Sequence, residues 1–471
     1  MVIGSGPNGL AAAIVVAQAG KSVLVLEAED SIGGGARSAE LTLPGFTHDL
    51  CSAVHPMAIA SPFFRSLPLG EHGLEWIHAP YPLAHPFDDG TAAVLHPALD
   101  ETCRELGQDG KGYRALVGSL VENWSALEDF LLAPLGIPRD LASAARFGVN
   151  AVQPAARLAK AKFASEKARA LFAGLAAHSA RPLESWGTAA IALVLAVRAP
   201  VGGWPIPKGG AQRITDALSS LLRSLGGQIL TGSRVHSLEE LPRATVVLFD
   251  TSPRSLLQIA GDRFSAGYKR ALQKFRYGPG VFKMDWALRE PIPWKAAACS
   301  KAATVHVGGT LGEIAQAESD IWRNRIPQRP FVLLAQPSLF DSSRAPQGRH
   351  TAWAYCHVPS GFSADMTEQI ESQIERFAPG FRDLVLARST KTAAQLEKGN
   401  ANLVGGDVTG GANTLRQLIF RPTRHFYRTP AKNVFLCSAS TQPGGGVHGM
   451  CGYHAATRAL RRFKQYGAGT D

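Results

Sequence analysis

Residues 2–14, VIGSGPNGLAAAI, and residues 23–27, VLVLE, decide the fold of this chain. The first stretch passes from an apolar start through a glycine turn into an Ala/Ile/Val-rich run. The second is an apolar run that ends on Glu27. Strand, glycine turn, helix, strand and acid in this order form the fingerprint of a dinucleotide-binding βαβ unit. A glycine turn in an ordinary α/β unit is the alternative interpretation.

The residue types of the turn each have a predicted role. Gly4 permits the tight turn, Gly6 lets the backbone approach a pyrophosphate, and Gly9 lets the helix pack close to the strand. The helix N-terminus offers free N–H groups to the phosphates. Glu27 can accept hydrogen bonds from both hydroxyls of an adenosine ribose and would repel a 2′-phosphate, which favours NAD or FAD over NADP. We expect three neighbours to line the same site: Pro7, Asn8 and Ala28.

A second glycine cluster, IGGGARS at residues 32–38, follows soon after the acid. It lets another backbone segment approach the pyrophosphate, and Arg37 either neutralises that group or is a surface charge. The cluster resembles the GG motif that follows the fingerprint in flavoproteins of the amine oxidase and phytoene desaturase superfamily, which favours FAD over NAD. The residues assigned to the cofactor here are Gly34, Gly35, Ala36, Arg37 and Ser38.

Length and composition limit the class of protein. A chain of 471 residues is too long for one core and suits two domains. The net charge is +11, but the basic residues are scattered, so we expect no nucleic-acid partner, while attraction to an anionic membrane surface stays open. The six cysteines form no CxxC pair and no ligand spacing with histidine, which favours reduced thiols and no metal site. The longest apolar run, residues 189–197, is too short to span a bilayer, so we expect a cytoplasmic protein with at most peripheral membrane contact.

The middle of the chain predicts helices. Residues 99–197 have apolar residues at helical spacing with lysines and arginines between them. A solvated helix face explains these basic residues, and a helix that lies on a membrane is the alternative. The small residues of 170–180 leave room for a substrate, and His178 either faces that space or has a structural role.

A sheet follows the helices. Four alternating runs have the spacing of an antiparallel sheet: residues 281–288, 304–307, 331–336 and 351–358. Alternation places Lys283 and Asp285 on one face of the first of these strands. On one face of the last it places Thr351, Trp353, Tyr355 and His357. This polar and aromatic face either meets the cofactor and substrate or packs against helices.

Shorter elements connect these parts. A turn is predicted at residues 44–46, and helices at residues 214–225 and 366–378. Short strands are predicted at residues 40–43, 226–230, 234–238 and 245–249.

The end of the chain carries a second glycine-rich constellation. A short strand at residues 433–436 leads into CSASTQPGGGVHG at residues 437–449, and a helix begins at about Met450. The start of that helix favours negative charge, which would suit flavin N1 and the O2 carbonyl during reduction. The residues assigned to the cofactor are Ser438, Ala439, Gly446, Val447 and His448.

The ends and the middle of the chain together resemble the phytoene desaturase-like branch of the FAD-dependent oxidoreductases of the amine oxidase superfamily. The subgroup related to pyridine nucleotide-disulphide oxidoreductase domain-containing protein 2 is the most similar. The resemblance covers essentially the whole chain and rests on the stretches VIGSGPNGLAAAI, EAEDSIGGGARS, LPGFTHDLCSAVHP, GGWPIPKGGAQRI, VGGDVTGG and LCSASTQPGGGVHGMCGYHAA.

The resemblance implies an α/β fold with a discontinuous Rossmann-type FAD-binding domain and an α+β substrate domain with a mixed or antiparallel sheet. The FAD-binding domain would comprise residues 1–70, 203–258 and 425–471, and the substrate domain residues 71–202 and 259–424. It further implies that Val235 holds the adenine through its main chain and that the turn at Thr251 lies near the pyrophosphate.

Four positions depart from the family pattern. Ser438 and Ser440 stand where carotenoid desaturases often carry glycine, and His448 where they carry proline. Gly35 replaces the arginine that is usual in the GG motif of amine oxidases. A carotenoid substrate therefore does not follow from the resemblance.

The resemblance implies hydride transfer between a substrate carbon and flavin N5. We interpret the chain as an enzyme that dehydrogenates a small or hydrophobic organic substrate, by desaturation of a C–C bond or oxidation of a C–N bond. The remaining glycine clusters do not fit a second dinucleotide site, which predicts dioxygen or a quinone as the electron acceptor. Residues 49–57 would pass close to the flavin ring. The candidate catalytic residues are His448, His55 and Asp285, and a packed or capping role is the alternative for His55. A flavin amine or amino-acid oxidase and a flavin-binding scaffold with little turnover remain alternative functions.

Overall fold

The glycine fingerprint folds as a βαβ unit in a five-stranded parallel sheet. The structure is a computed structural model that describes residues 1–134 and 136–466. Its strands are β1 Val2–Ile3, β2 Leu24–Leu26, β3 Ser38–Glu40, β4 Thr47–Asp49, β5 Trp76–Ile77, β6 Tyr81–Pro86, β7 Ala92–Leu95, β8 Ile206–Pro207, β9 Gln228–Leu230, β10 Val247–Phe249, β11 Gly280–Leu288, β12 Ala302–Val307, β13 Val332–Ala335, β14 His350–Val358, β15 Val385–Lys391 and β16 Val434–Leu436. The parallel sheet has the order β16-β10-β1-β2-β9.

The helices fall into a long series in the first half of the chain and isolated helices between later strands. They are α1 Pro7–Gln18, α2 Pro56–Ala60, α3 Pro62–Arg65, α4 Leu99–Glu105, α5 Gly110–Glu122, α6 Trp124–Leu131, α7 Leu141–Ala151, α8 Ala155–Lys162, α9 Glu166–Ala177, α10 Thr188–Arg198, α11 Gln212–Ser224, α12 Pro253–Ala260, α13 Ala266–Gln273, α14 Leu311–Trp322, α15 Thr367–Phe377, α16 Ala393–Gly399, α17 Leu415–Ile419 and α18 Met450–Tyr466. No helix of the described residues is long and apolar enough to cross a membrane.

Three helices bury the parallel sheet. Leu10 and Ile14 of α1 pack in one apolar core with Leu218 and Leu222 of α11. A Cβ atom on Gly452 of α18 would lie 1.8 Å from the backbone oxygen of Asn8, so only glycine lets α18 approach α1 this closely. The three helices thereby fix the start of α1, where the glycine turn lies.

The second large sheet has seven strands, in the order β15-β11-β14-β13-β12-β6-β7. Its neighbours are antiparallel except β12 and β6, which are parallel. Phe282, Met284 and Trp286 of β11 point into an apolar core that α15 covers with Ile370 and Ile374. The predicted α/β fold with a Rossmann-type sheet and a second, mixed sheet is confirmed, while the domain boundaries stay a prediction.

Two predicted strands are wrong. Residues 41–43 form a bend rather than a strand, because the Glu40 carboxylate accepts a hydrogen bond from the Gly45 N–H at 3.0 Å and folds the chain towards the turn at 44–46. The strand lies earlier in the chain, at Ser38–Glu40, as β3, and pairs with β4. Residues 234–237 run without a sheet partner and enter a short 3₁₀ helix, since the Glu240 carboxylate accepts the His236 N–H at 3.0 Å.

Candidate functional site

The glycine turn lies at the carboxyl ends of the parallel strands. Gly4 has φ +97° and donates its N–H to the Leu26 carbonyl at 2.8 Å, which joins the turn to β2. A Cβ on Gly9 would lie 2.1 Å from the Gly4 oxygen, so the start of α1 sits directly against the turn. The turn, the helix start and the strand end thus have the arrangement that binds a pyrophosphate in dinucleotide folds.

The second glycine cluster meets the first. Gly34 has φ +56°, and a Cβ there would lie 3.2 Å from the Cα of Gly6. The Gly33 N–H donates to the Ser5 carbonyl at 3.1 Å. Arg37 donates from Nε to the Gly34 carbonyl at 2.9 Å, so its side chain closes the cluster. The structure therefore brings the two predicted glycine sites together.

Glu27 is buried at the end of β2 and faces the turn. Its Oε2 accepts hydrogen bonds from the N–H and the hydroxyl of Ser5, at 2.8 and 2.6 Å. Its backbone carbonyl accepts the Ser233 N–H at 2.7 Å, which lays the segment of Val235 beside the acid. Val235 itself is half-buried against the apolar core of β10. The acid, the turn and the segment predicted to hold adenine are neighbours.

Replacement of Glu27 by alanine is expected to weaken FAD binding by roughly 1.5–3 kcal/mol, because a charged ribose acceptor is lost. Flavin retained after dialysis measures the effect. The control is Glu29→Ala, which removes an exposed carboxylate paired with Arg234 in the same segment. Equal flavin retention in the two variants would count against Glu27 as the ribose ligand.

Asp250 is a site residue that the sequence analysis did not single out. It follows β10, is buried, and accepts the Gly9 N–H through Oδ2 at 2.9 Å. Burial raises its pKa to about 7, with the nearby Glu27 carboxylate adding to the effect. Asn402 holds the same corner, donating to the Asp250 carbonyl at 2.9 Å and accepting the Ser252 N–H at 2.8 Å. Thr251 is buried between them.

Asp250→Asn is expected to stabilise the protein at pH 8 but not at pH 4. The folded pKa lies above the ordinary aspartate value, so the unfolded chain releases its proton first and stability falls as the pH rises from about 4 to 7. Asparagine keeps an acceptor for Gly9 and removes the charge, a gain of the order of 2–4 kcal/mol. Urea unfolding at both pH values measures it, with exposed Asp262→Asn as the control. A pH-independent difference between variant and wild type would contradict the assignment.

The C-terminal glycine loop returns to the same corner. Cys437 donates its N–H to the Phe249 carbonyl at 2.8 Å, which places the loop beside Asp250. Gly446 has φ +138°, and a Cβ there would lie 3.2 Å from Met57 of α2. Val447 has φ +56°, a left-handed conformation that a β-branched residue rarely adopts. Strained backbone of this kind clusters at functional sites, where the surrounding structure holds it in place. Ser438 is buried and Ala439 half-buried in the same loop.

The three candidate catalytic residues lie around the segment 47–61. His448 is buried, its Nδ1 accepts the Met450 N–H at 3.0 Å, and its carbonyl accepts the Ser61 hydroxyl at 2.6 Å. His55 precedes α2, and its buried Nε2 has no hydrogen-bond partner among the described residues. Burial lowers the pKa of each histidine to about 4, so both rings are neutral. His448 thus caps α18, whereas His55 keeps a free ring nitrogen.

Asp285 belongs to a buried ion network on the polar face of the second sheet. It pairs with Lys283 two residues away, and the His48 Nδ1 lies 3.6 Å from its other oxygen. Burial raises the pKa of Asp285 to about 6, against the opposing effect of Lys283. Next to it, Asp49 accepts Arg344 Nη2 at 2.8 Å and the Ala211 N–H at 2.7 Å. The network joins the hairpin of β3 and β4, which we call the GG hairpin because it follows the second glycine cluster, to the seven-stranded sheet.

Aromatic and histidine side chains continue this polar face, as alternation predicts. Lys283 lies opposite Tyr355, and Asp285 opposite Trp353, in the register of β11 and β14. The Trp353 and Tyr355 rings are 5.3 Å apart and pack on Ala53. The His357 Nδ1 lies 2.8 Å from Glu318 of α14, so the face is both lined by polar groups and covered by helices.

His178, at the end of α9, lies on the same side of the sheet. Its Nε2 is 3.0 Å from the Nε2 of His306 on β12, and its ring meets Trp204 edge-on. Burial lowers the pKa of His178 to about 3 and the pKa of His306 well below its usual value, so both rings are neutral and one Nε2 donates to the other. The helical region and the sheet therefore enclose one set of histidines, a convergence that no local pattern signals.

Comparisons with known proteins agree with this geometry. The family model described as NAD(P)-binding Rossmann-like domain matches residues 2–66. The pyridine nucleotide-disulfide oxidoreductase domain-containing protein 2 of Rattus norvegicus is 25% identical, over 98% of this chain and 93% of that protein. The zeta-carotene-forming phytoene desaturase of Myxococcus xanthus is 26% identical, over 95% of this chain and 90% of that protein.

Solved structures share the fold. An oxidoreductase from Methanosarcina mazei has a TM-score of 0.66 at 16% identity, covering 98% of this chain and 99% of that one. A putrescine oxidase has a TM-score of 0.63 at 16% identity, covering 98% of each chain. The fold and site define an oxidoreductase with a Rossmann-type nucleotide site. Within that class, the chain is similar over almost its whole length to proteins named pyridine nucleotide-disulfide oxidoreductase domain-containing protein 2 and phytoene desaturase, and it shares its fold with amine oxidases of the FAD oxidoreductase superfamily.

Proposed function

We propose that the chain is an FAD-dependent oxidoreductase that oxidises an organic substrate by hydride transfer to flavin N5, in a desaturation-type dehydrogenation. The observation that carries the proposal is the meeting of two glycine clusters, where a Cβ on Gly34 would lie 3.2 Å from the Cα of Gly6. Each of the two glycine clusters has space only for backbone atoms where they meet. A cradle lined by backbone in this way fits a pyrophosphate. Glu27 fits the ribose, and the glycine loop before α18 fits the flavin end.

When bound, FAD supplies the two-electron acceptor of the reaction. The residues of the chain have the remaining tasks. The backbone N–H groups of the glycine turn and the start of α1 bind the pyrophosphate, and Arg37 closes the GG cluster over it. The loop at 444–447 orients the ring end of the cofactor, since its left-handed residues fix its shape.

The polar face of the second sheet supports the substrate site. Buried polar atoms without a partner among the described residues concentrate there and on the segments opposite: Ser52 Oγ, His55 Nε2, Trp204 Nε1, Thr351 Oγ1 and Trp353 Nε1. Buried donors of this kind cost free energy unless a ligand or water accepts from them. A small or hydrophobic substrate with some polar atoms suits such a lining. Lys283 and Asp285 form a buried ion pair on the same face.

A flavin amine or amino-acid oxidase is the second candidate. The observation that favours it is the edge-to-face pair of Trp353 and Tyr355, with ring centroids 5.3 Å apart. Two aromatic rings at right angles can bind a cationic or polarised amine. A flavin-binding scaffold with little turnover is the third interpretation, and it predicts no flavin reduction by any substrate.

Anaerobic mixing of the purified holoprotein with a substrate panel tests the proposal. We expect FAD to be released into the supernatant on acid precipitation, because no attachment motif is recognisable. Flavin bleaching by polyenes and their saturated precursors would support desaturation, and bleaching by amines or amino acids would support the oxidase. FAD that no compound bleaches would contradict both. We also expect NADH and NADPH not to reduce the flavin usefully and electrons to leave to dioxygen or a quinone. A second dinucleotide site would need another βαβ unit of parallel strands, whereas the glycine pairs at 209–210 and 308–309 follow β8 and β12, which lie outside the parallel sheet.

A further inference from the structure

Large apolar side chains are exposed mainly in one part of the surface. Among the described residues, eleven large apolar side chains are exposed, and seven of these come from residues 137–152, Trp186 and residues 415–420. The seven are Ile137, Leu141, Val149, Val152, Trp186, Leu415 and Phe420, and we call them the α7 surface. Clustered exposure of this kind marks an interaction site, whereas single exposed apolar residues are ordinary.

Helix α7 presents an apolar stripe to the outside. Leu141 and Val149 are eight residues apart, which places them on one face, and they are 66% and 67% exposed. Val152 continues this face immediately after the helix. The opposite face holds the buried Phe147 and Ala151. Helix α7 is therefore apolar on both sides, and only one side has a partner within the described part of the chain.

The neighbouring segments extend the stripe into a continuous area. The Val152 carbonyl accepts the Gly187 N–H at 2.8 Å, which places Trp186, 56% exposed, beside the end of α7. A Cβ on Gly187 would lie 3.6 Å from a methyl group of Leu415 on α17. Phe420 follows α17 directly, with the Arg424 guanidinium 5.5 Å from its ring centroid.

Basic residues border this area. Residues 141–163 contain four lysines and arginines and no acid, and residues 408–470 contain nine and no acid. Arg146, Arg416 and Arg424 are exposed next to the apolar side chains. Glu184, two residues before Trp186, is an exposed acid at the border. Asp140, the N-cap residue directly before Leu141, is a second acid, so three exposed arginines and two acids border the apolar area.

We propose that the α7 surface docks on an anionic lipid bilayer. Exposed apolar side chains that lie between arginines match a membrane interface, where the chains enter the acyl boundary and the cations meet anionic headgroups. A second copy of the chain fits less well, because a two-fold contact would place this positive border against itself. The proposal also predicts which part of the protein faces the bilayer. Asn413, beside α17, donates to the Ser179 carbonyl at 3.2 Å, which links α17 to the end of α9. Docking would bring the end of α9 and its histidines close to the bilayer.

Vesicle flotation of the full-length holoprotein tests this docking. The probes are vesicles of phosphatidylcholine alone and vesicles that also contain phosphatidylglycerol, each at low and high salt. The test variant is Val149→Ser with Trp186→Ser and Leu415→Ser. The matched control is Leu225→Ser with Leu230→Ser and Leu386→Ser, which changes three leucines that are exposed elsewhere. A third variant, Arg146→Gln with Arg416→Gln and Arg424→Gln, removes the positive border.

We expect binding to the anionic vesicles that weakens with salt, falls at least about tenfold in the apolar variant and stays unchanged in the control. The arginine variant should lose the part of the vesicle binding that depends on salt. Equal binding by test and control variants, no preference for anionic vesicles, or a dimer in sedimentation that the apolar variant dissociates would each overturn the proposal. FAD content is measured in every variant, so a docking failure with normal flavin is distinct from a failure of the proposed enzymatic function.

Discussion

Arg344→Met is expected to destabilise the protein by about 3–5 kcal/mol. Arg344 and Asp49 are both fully buried and pair at 2.8 Å, so removal of the guanidinium leaves a carboxylate without its counter-charge. Burial alone would raise the pKa of Asp49, but Arg344, with the Ala211 N–H and the Ser38 hydroxyl, holds it below its usual value. Urea unfolding near neutral pH, where Asp49 is charged, measures the loss directly.

Two controls separate the buried charge from loss of packing. Lys208→Met removes an exposed ion pair with Glu75 and should change stability by less than about 1 kcal/mol. The double variant Arg344→Met with Asp49→Asn should regain much of the stability, because no unpaired charge remains. The pH dependence gives a further sign: the wild type should lose stability as the pH falls through the lowered pKa of Asp49. If Arg344→Met is no worse than Lys208→Met, the network does not hold the GG hairpin to the sheet.

The local parts of the site were predictable from the sequence. The fingerprint and the GG cluster depend on short-range spacing, and the structure joins Gly6 and Gly34 as a shared pyrophosphate site would require. Alternation along β11 and β14 also predicted the polar face, because the side-chain period of a strand is fixed. The register adds which residues are opposite each other, such as Lys283 and Tyr355.

The long-range parts were not predictable from local patterns. Asp250 and Asn402 are 152 residues apart in the chain and meet at one corner of the nucleotide site. His178 and His306 are 128 residues apart and share a hydrogen bond. No periodicity encodes such pairs, because they follow from how the two sheets and the helices pack. The strand misplaced at 40–43 failed for a related reason, since a side-chain contact from Glu40 to Gly45 bends the chain there.

Gly9→Ala is expected to abolish flavin binding. A Cβ at this position would lie 2.1 Å from the oxygen of Gly4, which belongs to the turn, and 3.0 Å from the side chain of Asp250, which follows β10. The neighbour at 2.1 Å is backbone, so the helix start must move away from β1, and the N–H groups that face the pyrophosphate move with it. We expect the variant to bind flavin with less than about a hundredth of the wild-type affinity. This corresponds to a loss of about 2.7 kcal/mol of binding free energy.

Gly148→Ala is the matched control for this prediction. Gly148 lies within α7, where a Cβ would meet no atom within 4 Å, so alanine should stabilise the helix by up to about 1 kcal/mol and leave the flavin in place. Flavin content after dialysis and the unfolding midpoint are measured on both variants and the wild type. Flavin at the wild-type level in Gly9→Ala would show that the turn does not bind the pyrophosphate. A low flavin content in folded Gly9→Ala beside a normal Gly148→Ala would assign the binding to this turn, because both variants add the same methyl group.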